Sequence, residues 1–215
     1  MNNCIKQAIK ENKIIAIVRG VETEKCMKVA QALYDGGIRL MEITYDQRKP
    51  ESWETTAKTI GAIAEEFKGK MFVGAGTVTS ADLVELTHRY GGQFIISPDV
   101  NEAVIRRTKE LGMVSIPGGM TPTEVMTAHR AGADFVKLFP GGTLGVSYFK
   151  AVKAPVSHVD LLVVGGVDEK NLPDFLAAGA VGAGIGSNMV SSKLANDGMF
   201  DQIAENARKF VAAAK

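Results

Sequence analysis

One pattern recurs along the chain: a mixed polar and apolar segment of helix length stops at glycine, and a short apolar run follows. The stops are Gly37, Gly92, Gly112, Gly132 and Gly179. Glycine suits a helix end because it adopts the left-handed conformation without a Cβ penalty. The apolar runs after these stops are IRLMEI (38–43), QFIIS (93–97), MVSI (113–116), DFVKLF (134–139) and VGAGIG (181–186). Three more fit between them: IIAIV (14–18), MFVGA (71–75) and LLVVG (161–165). These runs are apolar nearly throughout rather than alternating, as strands of a parallel sheet covered on both faces are. A helix-length segment follows each. The first, from Thr23, sets Cys26, Val29, Ala30, Leu33 and Tyr34 at helical spacing. Thr121-Pro122-Thr123-Glu124 reads as a capping box with proline in the first turn. The last helix places Ile203, Ala207, Phe210, Val211 and Ala214 on one face.

Eight strand-then-helix units in 215 residues predict an α/β fold, a (β/α)8 TIM barrel formed as a single domain over 1–215. Segment 2–11 then becomes an extra N-terminal helix closing the bottom of the barrel. An open doubly wound sheet is the structural alternative. Nothing in the chain reads as a linker, a low-complexity run or a second domain.

Composition narrows the function. Hydrophobic residues make up 46% and charged residues 23%, values of an ordinary soluble globular chain. A formal net charge of +1 carries no electrostatic footprint for nucleic acid or an anionic membrane surface, so any anion site must be local. No apolar run approaches the ~20 residues of a membrane-spanning helix. Cys4 and Cys26 fit no metal motif and follow no secretory signal, which points to a reduced, cytoplasmic protein. Cys26 reads as a small buried hydrophobe. His88, His129 and His158 lack ligand spacing, so no metal is expected.

One residue violates the pattern of its own strand. Lys137 stands among Phe135, Val136, Leu138, Phe139 and Pro140, although lysine is almost never buried without a partner. Barrels of this class carry their chemistry at the C-terminal ends of the strands. The polar residues falling there are Arg19, Glu42 and Thr44, Thr77, Ser97-Pro98, Lys137, Gly165-Gly166 and Gly184 to Ser187. Glu42 and Lys137 lie inside strands on far sides of one interior. Burial favours the neutral amine and makes it nucleophilic near neutral pH, and a carboxyl can shuttle its protons. Amine plus carboxyl is the minimal set for Schiff-base chemistry on a carbonyl substrate. Gly165, Gly166, Gly186 and Ser187 occupy the two loops where such barrels commonly hold phosphate, with backbone N–H groups free to approach an anion. Thr77 reads equally as a structural hydroxyl or a substrate ligand.

Taken together, GAGTV (74–78), ISP (96–98), KLFP (137–140) and the GG and GS loops resemble the 2-keto-3-deoxy-6-phosphogluconate (KDPG) and 4-hydroxy-2-oxoglutarate (KHG) aldolases. The resemblance runs from IAIVRG (15–20) to GIGS (184–187). It implies a class I aldolase, a lyase that needs no metal or cofactor, built as a (β/α)8 barrel and usually a homotrimer. Its substrates would be small 2-keto acids: KDPG, yielding pyruvate and glyceraldehyde 3-phosphate, and KHG, yielding pyruvate and glyoxylate. By the match, Lys137 forms the Schiff base and Glu42 is the general acid and base. Thr77 and Pro98 line the pyruvate end, and Gly165, Gly166, Gly186 and Ser187 hold phosphate.

The gluconate-type enzymes carry an arginine four residues after the glutamate, where this chain has Asp46. Arg19 is the expected replacement for binding the substrate carboxylate, with Arg48 as the fallback. The IAIVRG start and the VGG at 164–166 resemble the 2-keto-3-deoxy-6-phosphogalactonate (KDPGal) branch, the alternative substrate reading. Two remoter alternatives are a phosphosugar epimerase or isomerase barrel, and a non-catalytic sensor of phosphate ligands.

Overall fold

The structure, a computed structural model, describes residues 2–215. Helix α1 (Asn2–Asn12) comes first. Strands β1 (Ile14–Val18), β2 (Leu40–Thr44), β3 (Phe72–Gly76), β4 (Phe94–Ile96) and β5 (Val114–Ile116) alternate with α2 (Thr23–Asp35), α3 (Trp53–Glu66), α4 (Ala81–Arg89) and α5 (Glu102–Glu110). After β6 (Gly118–Gly119) come α6 (Pro122–Arg130), β7 (Val136–Leu138), α7 (Gly141–Lys153), β8 (Leu161–Val164), α8 (Leu172–Ala177) and β9 (Gly182–Ile185). Two helices, α9 (Ser192–Asn196) and α10 (Phe200–Ala213), end the chain. The strands run in the order β5-β4-β3-β2-β1-β9-β8-β7-β6, with every pairing parallel.

Nine strand segments make an eight-stranded barrel because β5 and β6 are one strand bent at Pro117. Proline has no N–H to give a ladder, so pairing breaks there. Before the bend the strand pairs with β4; after it, with β7. The amides of Asp134, Lys137 and Phe139 donate to the carbonyls of Ser115, Pro117 and Gly119 at 3.0, 2.8 and 3.1 Å, closing the ring. The apolar run expected as this strand, MVSI (113–116), stops short of the bend. The predicted (β/α)8 barrel is present, and the open-sheet alternative is not.

Both faces of the strands are apolar, which hides their alternation in the sequence. Ile14, Ala16, Met41, Ile43, Val73, Ala75, Val136, Leu138 and Val163 pack outward under the helices. Ile15, Leu40, Phe94, Val114, Phe135 and Leu162 fill the lumen. Ile5 and Ile9 of α1 join that inner cluster, so the N-terminal helix plugs the bottom as expected. Burying each contributes roughly 1.5–3 kcal/mol. Lys6–Asp134 (3.5 Å) and Lys10–Asp160 (2.7 Å) tie the outer side of the plug to the barrel.

Helix ends follow the predicted chemistry with one correction. Gly37, Gly112, Gly132 and Gly179 are left-handed, but in the remaining case Gly91 (φ 86°), not Gly92, takes that conformation. Gly92 is needed for space instead: a Cβ there would stand 2.3 Å from Thr87 Cγ2. The capping box at Thr121 and Glu124 forms in full. Cys26 is buried, and burial pushes its thiol pKa up to about 11, which leaves it inert.

Candidate active site

A cavity of about 450 Å³ opens at the C-terminal end of the strands. Its wall contains Arg19, Glu42, Thr77, Pro98, Lys137, Gly165, Gly166, Gly186 and Ser187, so the fold gathers all of the site residues expected from the sequence. Thr44 does not line it; its neighbours are Val18, Cys26 and Thr59 on the outer side of the sheet.

The strand register explains how the two ionisable groups meet. β2 and β7 are four steps apart round the eight-membered ring, hence opposite each other. Leu40 and Phe135 face the lumen, so Glu42 and Lys137, two residues further on, face it as well. The apolar plug lies beneath them and the open mouth above. Glu42 is 2% exposed and Lys137 8%. Glu42 Oε2 has no hydrogen-bond partner. The Lys137 Nζ lies 4.9 Å from the centre of the Phe139 ring.

Such surroundings favour neutral forms. Burial raises the Glu42 pKa above the ordinary 4.5, against the opposing attraction of Lys137 and Arg19. Burial lowers Lys137 below the ordinary 10.5; Glu42 pulls it back up and Arg19 pushes it further down. Both groups are thus pushed toward the forms that imine chemistry needs, an amine that can add to a carbonyl and an acid that can protonate the resulting hydroxyl.

This coupling makes the stability of Glu42→Gln depend on pH in a defined direction. Without Glu42, burial lowers Lys137 with only Asp99 left in opposition. A lysine depressed in the fold binds its proton more readily in the unfolded chain. Stability is then complete above the unfolded value of 10.5 and declines as pH drops through the window down to the folded value. In the parent, the Glu42 carboxyl opposes that lowering, so the slope is shallower. Thermal melts in matched buffers should show the melting temperature of Glu42→Gln, minus that of the parent, rising from neutral pH toward 10.5. A flat difference would mean that Glu42 exerts no pull on the Lys137 proton.

At one end of the cavity, Arg19 Nη2 donates to Thr77 Oγ1 at 3.1 Å. The guanidinium and hydroxyl come from the ends of β1 and β3, which flank β2, with Pro98 beside them on the wall. Arg48 is absent from the cavity: its side chain is 91% exposed and pairs with Asp46 at 3.6 Å. Asp46 itself accepts from the Arg48 amide at 3.0 Å and lines none of the cavity. Of the two arginines considered for a carboxylate, the fold delivers Arg19.

At the other end, Gly165 and Gly166 take φ of 83° and 79°, a conformation that side chains with a Cβ resist. Their carbonyls are held away from the cavity. The Thr143 amide donates to Gly165 O at 3.1 Å, and Asn171 Nδ2 to Gly166 O at 3.0 Å. With each carbonyl turned back, the amide on the far side of that peptide points the other way, which suits an anion. Gly186 differs, having neither positive φ nor crowding. The sequence reading missed Phe139 and Asn188, which also line the wall. Asn188 Nδ2 donates to Val167 O at 2.8 Å and so ties the two loops together. Phe139 sits two residues beyond Lys137, so the same alternation could have found it; no local signal marks Asn188.

A family model described as "KDPG and KHG aldolase" matches residues 5–206. The 2-dehydro-3-deoxy-6-phosphogalactonate aldolase of Escherichia coli (strain K12) is 35% identical over 201 residues, 93% of each chain. The KHG/KDPG aldolase of the same organism is 31% identical over 203 residues, covering 94% of this chain and 92% of the relative. A solved structure described as "Native KDPGal structure" superposes with a TM-score of 0.84 at 35% identity, covering 93% of each chain.

Proposed function

This chain belongs to the KDPG and KHG aldolase family, and from that membership we propose that it cleaves 2-keto-3-deoxy-6-phosphosugar acids to pyruvate and glyceraldehyde 3-phosphate through an imine on Lys137. The observation that carries this reading is the placement of a buried amine and a buried carboxyl on opposite walls of one cavity, beneath two glycine turns.

The steps follow from the chemistry of those groups. The Lys137 amine adds to the C2 ketone, and the carbinolamine loses water with a proton from Glu42. The protonated imine then accepts electrons. Glu42, now a carboxylate, takes the proton of the C4 hydroxyl; the C3–C4 bond breaks toward the imine, and the aldehyde leaves. The enamine gains a proton at C3, and water hydrolyses the imine to free pyruvate and the amine. Arg19 and Thr77 hold the carboxylate end. Gly165, Gly166, Gly186 and Ser187 hold the phosphate, so that binding remote from C3–C4 orients the reacting bond. With 4-hydroxy-2-oxoglutarate the same steps release glyoxylate.

Two observations favour the galactonate substrate as a second reading: Asp46 replaces the arginine of the gluconate type, and Val164 precedes the glycine pair at the cavity wall. The 35% identical relative bears the galactonate name. Kinetics on KDPG, KDPGal and the unphosphorylated acid decide between them. A metal-dependent isomerase or an acid-pair epimerase finds less support, because Glu42 is the sole carboxylate on the cavity wall among the described residues. A homotrimer is the expected assembly on family resemblance. No helix among the described residues is long and apolar enough to cross a membrane, and a cytoplasmic location fits the free thiols.

The test is covalent trapping. Incubated with pyruvate and then borohydride, the protein should gain one carboxyethyl group, which peptide mapping should place on Lys137. An unmodified protein would refute the imine.

A further inference from the structure

The loop after β2 carries an exposed glutamine, Gln47, that reaches across to the loop after β3. Its Nε2 donates to the Thr77 carbonyl at 2.7 Å. Its Oε1 accepts from the Thr79 hydroxyl at 2.9 Å. Thr79 O in turn accepts from Asn101 Nδ2 at 3.2 Å, so the loop is held from both sides. Thr77 is the residue whose hydroxyl accepts from Arg19, and both line the cavity. Gln47 does not line it.

A surface side chain with both ends of its amide engaged is unusual, since long polar side chains lose rotamer entropy when fixed. The amide donates to a carbonyl with its nitrogen and accepts from a hydroxyl with its oxygen, a pair of contacts that a carboxylate, an acceptor only, cannot make. From this geometry we infer that Gln47 is a positioning residue for the reaction. It sets the Thr77 backbone, which places the hydroxyl against which the Arg19 guanidinium rests. Arg19 leaves an exposed strand end and would otherwise sample many rotamers in water. The chain Gln47–Thr77–Arg19 thus pre-orders the carboxylate-binding end without touching substrate. The inference rests on the reading of Arg19 and Thr77 as the carboxylate site.

The experiment uses Gln47→Glu and Gln47→Ala in the full-length protein. Glutamate has the shape of glutamine, but its carboxylate cannot donate to Thr77 O, whereas the Thr79 contact survives. The readout is exchange of the C3 hydrogens of pyruvate with deuterated solvent, which needs imine and enamine but no aldehyde. Both variants are expected to raise the KM for pyruvate by about fivefold to tenfold, the scale of one lost hydrogen bond, with kcat within about twofold. Combining Gln47→Ala with Arg19→Ala should raise KM no further than Arg19→Ala alone, because the two act through one contact. An unchanged pyruvate KM in Gln47→Glu and Gln47→Ala, with a raised one in Arg19→Ala, would overturn the positioning role while leaving the site intact. Additive effects in the double variant would also overturn it. A parent protein that neither exchanges nor traps pyruvate would instead refute the reading on which the inference rests.

Discussion

Lys137→Ala is expected to lose at least about a thousandfold in kcat/KM and to yield no borohydride-trapped adduct, while folding as the parent does. That loss corresponds to roughly 4 kcal/mol of barrier. The argument has two parts. Among the described residues no second amine lines the cavity, so nothing there replaces the nucleophile. The fold, by contrast, does not depend on this side chain. Lys137 sits above the apolar plug of Phe94, Phe135 and Leu162 rather than within it. Its truncation removes a costly buried polar group and leaves a gap continuous with the open cavity, which water can enter. The change in stability should lie within about 2 kcal/mol. Steady-state kinetics, mass spectrometry after trapping and a thermal melt check the three parts separately. Turnover near the parental rate would remove Lys137 from the mechanism.

A second large effect is expected from one methyl group. Gly76 pairs with Thr44 across the β2–β3 ladder, and a Cβ there would lie 1.5 Å from Glu42 Oε1 and 2.4 Å from its Cδ. Two atoms cannot share that space, and the backbone on either side is fixed. Glu42 Cγ is itself only 2.9 Å from the added carbon, so rotation of the carboxyl alone does not relieve the clash. The side chain must move, or the strands must part where the Tyr45 amide donates to Gly76 O at 2.7 Å. Gly76→Ala should therefore lower kcat by about a hundredfold, the cost of displacing a catalytic group by an ångström or more. Overpacking should also destabilise the fold by about 1–3 kcal/mol. Glu42→Gln, which keeps the shape, is the comparison: it should lose proton transfer without the packing cost. A Gly76→Ala enzyme with parental kcat would show that the carboxyl position is not critical.

Gly76 also illustrates what could be read early and what could not. GAGTV (74–78) stands out in the sequence, yet the reason for its glycines is tertiary. Gly74 leaves room for the Phe94 ring, 2.3 Å from where its Cβ would be, and Gly76 leaves room for Glu42. Each neighbour comes from another strand. Likewise, the apolar run of the fifth strand stops at Ile116, and only the barrel shows Pro-Gly-Gly at 117–119 as the bend through which the sheet closes. Lys137 needed no such help. A charge within an apolar run is conspicuous because burying it is expensive, so the anomaly announced a role. Gln47 had no comparable signal: a polar residue in a polar loop is unremarkable until its two partners are seen.

The order of apolar runs and glycine stops was enough to determine a parallel α/β ring, because each short strand needs a covering helix and each helix must end before the next strand begins. It was enough, too, to single out Lys137, Glu42 and the glycine turns, since their costs are local. The tertiary structure alone decided which arginine reaches the cavity, Arg19 lining it while Arg48 turns to solvent. It alone set Glu42 against Lys137 across the lumen and tied Gln47 to Thr77. Those outcomes depend on strand register and on distances between residues far apart in the chain, and no local propensity encodes a distance of that kind.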